Sequence, residues 1–441
     1  MKIALVRALR GAGVRFVRVI TCSTANVIRG KAASIDCLEG VFDHGVGVTA
    51  ALPGLPVMYD AVVPGSGLGP VGEVRLVPDW ETFQLVPYAP GHAQVIGDLT
   101  LDGHPWPLDP RHFLKRMVAE ARKAGLEVQA GYELEFYLLD EDRRPADDTV
   151  FAATLGMDVA RGVVGNIVDA LAAQGIIVQQ FYPEAGPGQY ELPLAPSDPL
   201  MTADRMLYAR QTVHAVARAT GLTAVLLPKV IENAAGNGAH CHLSLWRDGH
   251  NLVGDPRSAH GLSATAAGFT AGLLQHLPAL AALTVASCNS YRRLQPRTWS
   301  GAFRAWGKDN REAAVRVPSA PDGGAPSHIE LKTSDASSNP YLALGSVIAA
   351  GLDGLRRDLV LPEPVQTDPA SLTEAEREER GLDPLPGTLA AALAALEGDE
   401  VLMDALGPQL AQAYIAVKRF EWQTLKDLPL ADEVTMLMER Y

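Results

Sequence analysis

The sequence GYELEFYLLD, residues 131–140, has the pattern of a half-buried β-strand and carries two acidic residues among apolar and aromatic ones. Successive side chains of a strand point to opposite faces, so Glu133 and Glu135 project from the same face. Two carboxylates side by side on a core element repel each other, and each loses hydration. Such a pair indicates that a positively charged partner belongs to this strand.

Further acidic residues and two histidines stand in similar settings. EAGPGQYEL, residues 184–192, has a glutamate at each end of a Gly/Pro turn, and HIELKT, residues 328–333, has one within an apolar strand. AHCHLSL, residues 239–245, places two histidines on one face of a strand and Cys241 on the other. Divalent metal stabilises a cluster of carboxylates, and carboxylate-dominated ligation favours Mg²⁺ or Mn²⁺ over zinc. The predicted metal ligands are Glu133, Glu135, Glu184, Glu191, His240 and Glu330.

Each of these elements alone has a simpler interpretation. A Glu-x-Glu strand is usually a solvated face, since charged residues are seldom buried. A His-x-His pair is ambiguous, and two glutamates beside a turn are ordinary loop residues. The prediction of a metal site therefore depends on the joint occurrence of all the elements.

A second cluster is the arginine-rich stretch SYRRLQPRTWSGAFRAWGKDNREAAVRVP, residues 290–318. Guanidinium groups suit bidentate binding of carboxylate and phosphate. For any one arginine, a surface salt bridge is the alternative, but Arg316 lies within an apolar strand, where an unpaired charge is unfavourable. Metals beside clustered arginines indicate phosphoryl transfer. The arginines are Arg292, Arg293, Arg297, Arg304, Arg311 and Arg316.

Composition excludes several classes of protein. The chain has 441 residues, of which 47% are hydrophobic and 20% charged, so we expect a globular protein with two domains, at 1–103 and 104–441. A net charge of -13 argues against nucleic-acid and anionic-membrane binding. The four cysteines show no paired spacing, which argues against a secreted disulfide framework. Arginines interrupt the apolar N-terminus, unlike in a signal peptide, and no stretch approaches the length of a membrane span. A cytoplasmic location is the simplest expectation.

The order of elements predicts an α+β fold with a largely antiparallel sheet. The first hundred residues read as short strands and turns, and Asp109 and Pro110 look like the N-cap and first turn of a helix that ends at Gly125. Strand-like runs such as TAVLLPKV, HCHLSLW, EAAVRVP and HIELKT separate the later helices. Helices are predicted at 157–174, 198–220, 262–285, 340–354 and in two segments near the C-terminus.

These segments together resemble the glutamine synthetase family over nearly the full chain. GYELEF, PEAGPGQYEL, GNGAHCHLSL, SYRRLQP, WGKDNREAAVRVP and IELKTSDASSNPYLALGS follow the family's order. The resemblance implies a small N-terminal β-grasp-like domain and a larger catalytic domain with a mainly antiparallel, curved sheet flanked by helices. It also implies a homo-oligomer of two stacked hexameric rings, with sites between adjacent subunits. In the implied reaction ATP phosphorylates the side-chain carboxylate of glutamate, and an amine then displaces phosphate.

The resemblance also assigns roles to residues. Arg293 matches the arginine that holds the α-carboxylate of glutamate, with Gly236 beside it, and Arg311 matches one that faces the transferred phosphate. These two arginines are the predicted catalytic residues. The nucleotide-contacting positions are matched by His242, Ser244 and Arg316. The glutamate-side metal is matched by Glu135, Glu184 and Glu191, and the ATP-side metal by Glu133, His240 and Glu330.

The departures from the family pattern lie on the amine side. Glutamine synthetases proper have a glutamate six residues after the Arg293 position, which helps to bind ammonium and take its proton; here that residue is Trp299. Two positions around Glu330 that are usually arginine are His328 and Lys332. Ala235 replaces an asparagine, the N-terminal loop FDHGVGVTAAL lacks the usual acidic residue, and GLDPLPGTL lacks the tyrosine that adenylylated enzymes carry.

The intact phosphorylation half and the altered ammonium half predict a ligase that forms a γ-glutamyl amide with an amine larger than ammonia. We expect Trp299 and Lys332 to contact the substrates, and ATP and Mg²⁺ or Mn²⁺ to be the cofactors. The alternatives are an ammonia-using glutamine synthetase, in which Trp299 only packs in a shifted loop, and an altered scaffold or sensor. A metal-dependent hydrolase would need further histidines on a (β/α)₈ pattern that is not evident.

Overall fold

Two sheets organise the chain. The structure is a computed structural model that describes residues 2–441, including all of their side chains but that of Ile3. The first sheet contains β1 (Phe16–Cys22), β2 (Ile28–Ser34), β3 (Val46–Thr49), β4 (Glu73–Pro78), β5 (Gln84–Leu85), β6 (His92–Leu101) and β7 (His104–Pro105). Its order is β2-β1-β6-β4-β3, with β5 and β7 paired to β6; β1 and β6 run parallel and the other pairs antiparallel. The domain boundary at 103/104 stays a prediction.

The prediction of only strands and turns in the first hundred residues was wrong. Two helices, α1 (Lys2–Gly11) and α2 (Leu38–His44), pack beside the first sheet. In α1 the buried residues Val6 and Leu9 are three apart and Arg7 and Arg10 are exposed, so the helical period turns the arginines to solvent. The arginines that interrupt the apolar run are therefore part of a helix pattern.

The second sheet is larger and carries the predicted ligands. It contains β8 (Glu127–Leu139), β9 (Tyr182–Pro183), β10 (Gln189–Pro193), β11 (Thr223–Val225), β12 (Ala239–Arg247), β13 (His250–Asn251), β14 (Phe303–Lys308), β15 (Ala313–Val317) and β16 (Ile329–Leu331). The order is β14-β15-β16-β12-β8-β10-β9, with β11 paired to β8 and β13 to β12. β14 and β15 run parallel and the other pairs antiparallel, which confirms the predicted α+β class.

Helices make up much of the chain beyond the first sheet. They are α3 (Pro110–Lys123), α4 (Thr154–Ala172), α5 (Pro199–Ala219), α6 (Ala264–Thr284), α7 (Ser290–Arg293), α8 (Pro340–Arg356), α9 (Glu374–Glu379), α10 (Leu389–Glu397), α11 (Glu400–Leu406), α12 (Pro408–Leu425) and α13 (Leu430–Leu437). Single 3-10 turns lie at Ile35–Cys37, Leu52–Gly54, Trp80–Thr82 and Pro369–Ser371. The helices predicted beyond residue 104 are all present, and Asp109 caps α3 as predicted by accepting from the Arg111 N–H.

Helix α6 corrects the expectation that no stretch approaches the length of a membrane span. With 21 residues, this helix is long enough and apolar enough to cross a membrane, judged by length and composition alone. However, 83% of its most apolar window is buried inside the protein, where α6 packs against α8. At Gly272 of α6 an added Cβ would lie 2.2 Å from the Ala350 carbonyl oxygen, so the two helices approach too closely for a larger residue.

A buried histidine joins three of these helices. His276 of α6 lies with Nε2 2.9 Å from Asp353 of α8 and Nδ1 2.6 Å from Asp399, the N-cap of α11. Burial alone would lower the pKa of His276, but Asp399 and Asp353 together raise it. The imidazolium therefore stabilises the helical layer behind the sheet.

The two sheets are tied together by a buried arginine. Arg111 of α3 donates to both carboxylate oxygens of Asp204 in α5, at 3.0 and 2.8 Å, and to Asp98 of β6 at 2.8 Å. Arg111 is 1% exposed. The guanidinium thus forms hydrogen bonds to carboxylates from both parts of the protein. These directional bonds fix the orientation of the first sheet relative to the helices beside the second sheet.

Candidate active site

The register of the second sheet brings the predicted metal ligands together. Glu133 of β8 lies opposite His240 of β12, and Glu135 lies opposite Glu191 of β10. On the next strand, Glu330 of β16 lies opposite His242. Directly opposed residues of antiparallel strands have Cβ atoms about 5 Å apart. Four separate segments of sequence thus supply one site.

Three of the ligands form a compact group. Glu133, His240 and Glu330 each offer one ligand atom, and these atoms lie within 4.8 Å of one another. His240 Nδ1 lies 3.1 Å from Glu133 Oε2 and 3.5 Å from Glu330 Oε1. Two carboxylates and one imidazole suit a divalent cation with a preference for oxygen. These residues are the ones that the resemblance assigns to the ATP-side metal.

The other three ligands line a cavity of about 270 Å³ together with the first group. Glu135 Oε2 accepts from the Gly238 N–H at 2.7 Å, and Glu191 Oε1 accepts from the Tyr182 hydroxyl at 2.6 Å. Glu184 follows β9 and accepts from the Ala185 N–H at 2.9 Å. Each carboxylate is thus held by a neighbour that fixes its direction. Their roles as metal ligands stay predictions.

The two ends of the cavity differ in charge balance. Burial, with Glu133 and Glu135 nearby, raises the pKa of Glu191 to about 10. Burial, with Glu135 nearby, likewise raises the pKa of Glu184 to about 7. At the other end burial opposes ionisation of Glu330, but Lys332 and the histidines lower its pKa to about 2. The cavity therefore holds more carboxylates than its basic groups can keep ionised. A multivalent cation would balance the remaining negative charge, so the donor set suits the predicted divalent ions.

Only part of the arginine-rich stretch faces the cavity. Arg293, Arg311 and Arg316 line it, as does Lys332, whose Nζ lies 3.4 Å from Glu330. Arg316 of β15 pairs with Glu330, its register partner. The remaining three arginines form salt bridges away from the cavity, which is the alternative given for them above: Arg292 with Glu433, Arg297 with Asp368 and Arg304 with Asp383.

Arg293 is 5% exposed and ends α7 at the wall of the cavity. Its Nη2 lies 3.0 Å from His240 Nε2, and Nη1 donates to the Ser334 carbonyl oxygen at 3.4 Å. Gly236 lies beside it, since a Cβ there would be 2.7 Å from Arg293 Cγ. Gly236 and the aliphatic base of the Arg293 side chain are therefore neighbours, and their roles in glutamate binding stay predictions.

Two of the three predicted nucleotide contacts lie in a second cavity of about 500 Å³, whereas the third, Arg316, lines the first cavity. His242 and Ser244 line the second cavity on one face of β12, together with Trp246 and His328. The rings of His242 and His328 are 5.1 Å apart, so His328 occupies the wall where the family usually has arginine. Glu133 lines both cavities, which places the second cavity directly beside the ATP-side metal ligands. The nucleotide roles stay predictions.

Three aromatic residues line one part of the first cavity. Trp299 is 49% exposed, and its ring lies edge-on to Phe151 with centroids 6.3 Å apart. Phe151 in turn lies edge-on to Tyr182 at 6.1 Å, and all three residues line the cavity with Glu184 and Glu191. Trp299 is therefore a half-exposed residue that lines the cavity, and its contact with the amine stays a prediction.

Sequence reasoning missed several residues of this site. Phe151 lies on a loop with no periodic pattern, and no sequence signal connects it to Trp299. Gln189 and Gly238 belong to the acidic and histidine motifs, but the sequence analysis predicted no role for them. In the structure Gln189 Nε2 donates to the Gly236 carbonyl oxygen at 3.1 Å. At Gly238 a Cβ would lie 2.6 Å from His240 Nε2, so a glycine is required between two functional side chains.

Comparisons with known proteins agree with this geometry. The family model "Glutamine synthetase N-terminal domain" matches residues 1–106, and "Glutamine synthetase, catalytic domain" matches residues 107–437. The chain is 39% identical to "Gamma-glutamylpolyamine synthetase GlnA3" of Streptomyces coelicolor over 437 residues, or 96% of this chain and 93% of the relative. It is 37% identical to "Glutamine synthetase" of Methanocaldococcus jannaschii, over 80% of each chain.

Solved structures show the same fold. The structure titled "GmaS/ADP complex-Conformation 1" matches with a TM-score of 0.86 at 28% identity, over 99% of each chain. "Crystal structure of novel glutamine synthase homolog" matches with a TM-score of 0.87 at 34% identity, over 97% of this chain and 99% of the other.

The chain belongs to the glutamine synthetase family. Membership confirms the predicted fold class and the predicted reaction class, ATP-dependent ligation that forms a C–N bond. The family uses ATP and divalent metal, acts on small-molecule substrates and is generally oligomeric.

Proposed function

We propose that this protein joins the side-chain carboxylate of glutamate to an amine larger than ammonia. The observation that carries the proposal is the aromatic wall of Trp299, Phe151 and Tyr182 in the same cavity as the acidic cluster. A half-exposed indole binds methylene groups and a cationic nitrogen, but it cannot accept a proton from ammonium. The similarity to a γ-glutamylpolyamine synthetase supports the same conclusion.

In the first half-reaction a γ-carboxylate oxygen of glutamate attacks the γ-phosphorus of ATP, and ADP leaves. Arg293 is proposed to hold the α-carboxylate of glutamate, and Arg311 to face the phosphoryl group in transfer. Divalent ions, held by the six ligands, would neutralise phosphate charge. Mg²⁺ is the proposed ion, with Mn²⁺ as the alternative, since oxygen ligands predominate.

In the second half-reaction the amine first loses its ammonium proton to solvent, and its neutral nitrogen attacks the acyl carbon. The bond from that carbon to the phosphate oxygen breaks, and the nitrogen gives a second proton to the departing phosphate. The cavity presents four guanidinium or ammonium groups and the aromatic surface around Trp299. The two surfaces orient the reactants, because the anionic acyl phosphate is held by charge and the alkyl part of the amine by the rings.

Two further proposals concern the setting of the enzyme. We propose a dodecamer of two hexameric rings, on the strength of the family resemblance, and a cytoplasmic location. All four cysteines are free, three of them buried, which suits a reducing compartment.

Phosphate release from Mg²⁺, ATP and glutamate tests the proposal, with ammonium compared against primary amines, diamines and polyamines and the product confirmed by mass. Turnover preferring a larger amine is the expected result. A strong preference for ammonium would identify an ammonia-using glutamine synthetase, the activity that the name of the Methanocaldococcus jannaschii relative states. ATP binding with no turnover on any amine would favour a scaffold or sensor.

A further inference from the structure

The loop that carries Trp299 has an unfavourable backbone. Arg297 has φ +63° and Trp299 has φ +57°, so two non-glycine residues separated by Thr298 adopt the left-handed region. Such conformations persist only where the surrounding structure holds them, and they are frequent at functional sites. The contacts that hold this loop therefore decide where the indole lies.

One side chain holds both strained residues. Glu312 Oε2 accepts from the Arg297 N–H at 3.1 Å, and its Oε1 accepts from the Trp299 N–H at 3.0 Å. Two backbone N–H groups directed at one carboxylate form charge-assisted hydrogen bonds. Both oxygens are used, so a glutamine would lose one acceptor and turn an amide NH₂ toward an N–H donor.

Glu312 is itself fixed in place. Its N–H donates to Asn310 Oδ1 at 3.0 Å, and Asn310 Nδ2 donates to the carbonyl oxygens of Val365 at 2.8 Å and Thr367 at 3.0 Å. Burial raises the pKa of Glu312, and the two loop N–H groups act against this shift. The carboxylate is half-buried, although it does not line the cavity.

The loop is anchored on its other side to the glutamate pocket. The Thr298 hydroxyl lies 3.1 Å from the Arg293 carbonyl oxygen and 2.7 Å from that of Gln295. Arg311, the proposed phosphate contact, directly precedes Glu312 in the chain. The loop therefore spans between the residues that hold the two ends of the acyl phosphate.

We propose that Glu312 is a positioning residue that sets the indole of Trp299 against the amine and so determines selectivity for larger amines. This inference rests on the proposed function. Glu312 does not touch the substrate; it acts through the loop backbone, and loss of its two hydrogen bonds lets the indole leave the cavity wall.

The test compares Glu312→Gln, Trp299→Ala and the double variant in steady-state kinetics with a diamine, ammonium, glutamate and ATP. Glu312→Gln should raise the KM for the diamine about tenfold, the effect of losing one charge-assisted hydrogen bond. The KM values for ATP and glutamate should stay within about twofold, because Arg293 is held by His240 and the Ser334 carbonyl oxygen rather than by Glu312. The double variant should be no worse than Trp299→Ala, since both changes act on one group.

Asp140 supplies the matched control. Its Oδ1 accepts from the N–H groups of Asp142 and Arg144, each at 2.9 Å, around Arg143 with φ +62°, in a loop that does not line the cavity. Asp140→Asn should leave diamine selectivity unchanged. Glu312→Asp, which keeps the charge, should give an intermediate KM and serves if Glu312→Gln does not fold.

Four results separate the possible failures. Equal losses with every substrate, or additive effects in the double variant, would overturn the positioning role of Glu312. Unchanged diamine kinetics in Glu312→Gln alongside a selective loss in Trp299→Ala would overturn it as well, while leaving the proposed function intact. Unchanged selectivity in Trp299→Ala would instead overturn the proposed function.

Discussion

Replacing Trp299 by alanine removes the largest apolar surface on the amine side of the cavity. Because 49% of Trp299 is exposed, about 100 Å² of a residue that can bury roughly 200 Å² is free to meet a ligand. An alkyl chain that covers half of this area gains about 1.2 kcal/mol at 25 cal/mol/Å². A cationic nitrogen over the ring adds about 1 kcal/mol.

The expected effect is therefore about 2 kcal/mol, or roughly a 30-fold loss in kcat/KM for a diamine or polyamine. The kcat/KM for ammonium should change less than about threefold, because a small cation covers little of the ring. The assay is phosphate release at saturating ATP and glutamate, with the amine varied. The ratio of the two losses is the quantity that tests the reasoning.

The control is Tyr59→Ala. Tyr59 is 45% exposed and lies edge-on to Phe420 with ring centroids 5.8 Å apart, an arrangement like that of Trp299 and Phe151, but away from the cavity. This variant should keep both activities. Equal losses with ammonium and diamine in Trp299→Ala would refute the assignment of the indole to the amine. Trp299→Glu, which restores an acidic group, should shift preference toward ammonium.

Three other perturbations test the site and its supports. Binding of Mg²⁺ or Mn²⁺ near pH 7.5 should release about one proton, because Glu184 and Glu191 have raised pKa values and must ionise to bind metal; calorimetry in two buffers of different ionisation enthalpy measures it, and identical heats would contradict it. Gly238→Ala should lower kcat/KM about 100-fold, because the added methyl group displaces the adjacent histidine and arginine by a fraction of an ångström to one ångström. Gly162→Ala, where a Cβ meets open space, is its control, and equal activities would show that the cleft tolerates the methyl group. His276→Leu should lower Tm more at pH 6 than at pH 9, since a raised pKa gives stability that is complete below the unfolded value of about 6.5 and is lost as pH rises through the folded value. A pH-independent loss in thermal unfolding would mean that the histidine charge is not involved.

Much of the site was predictable because strand alternation is a local property. The spacing of Glu133 and Glu135 fixes their common face, and the same rule applies to His240 and His242. The order of the motifs then supplied the family, and with it the segments that must meet. Most of the long helices were predicted, whereas α1 was missed because Arg7 and Arg10 interrupt its apolar residues, and α2 because it spans only 7 residues.

The sequence by itself determined the fold class, the reaction class and the identity of the acidic and basic residues. Only the tertiary structure decided which arginines enter the cavity, that Phe151 and Tyr182 extend the surface of Trp299, and that Glu312 holds the loop. The physical reason is that periodicity sets which face a side chain occupies, whereas contacts between distant segments depend on sheet register and on loop torsions. Two left-handed residues, stabilised by a carboxylate from another strand end, leave no periodic trace in the sequence.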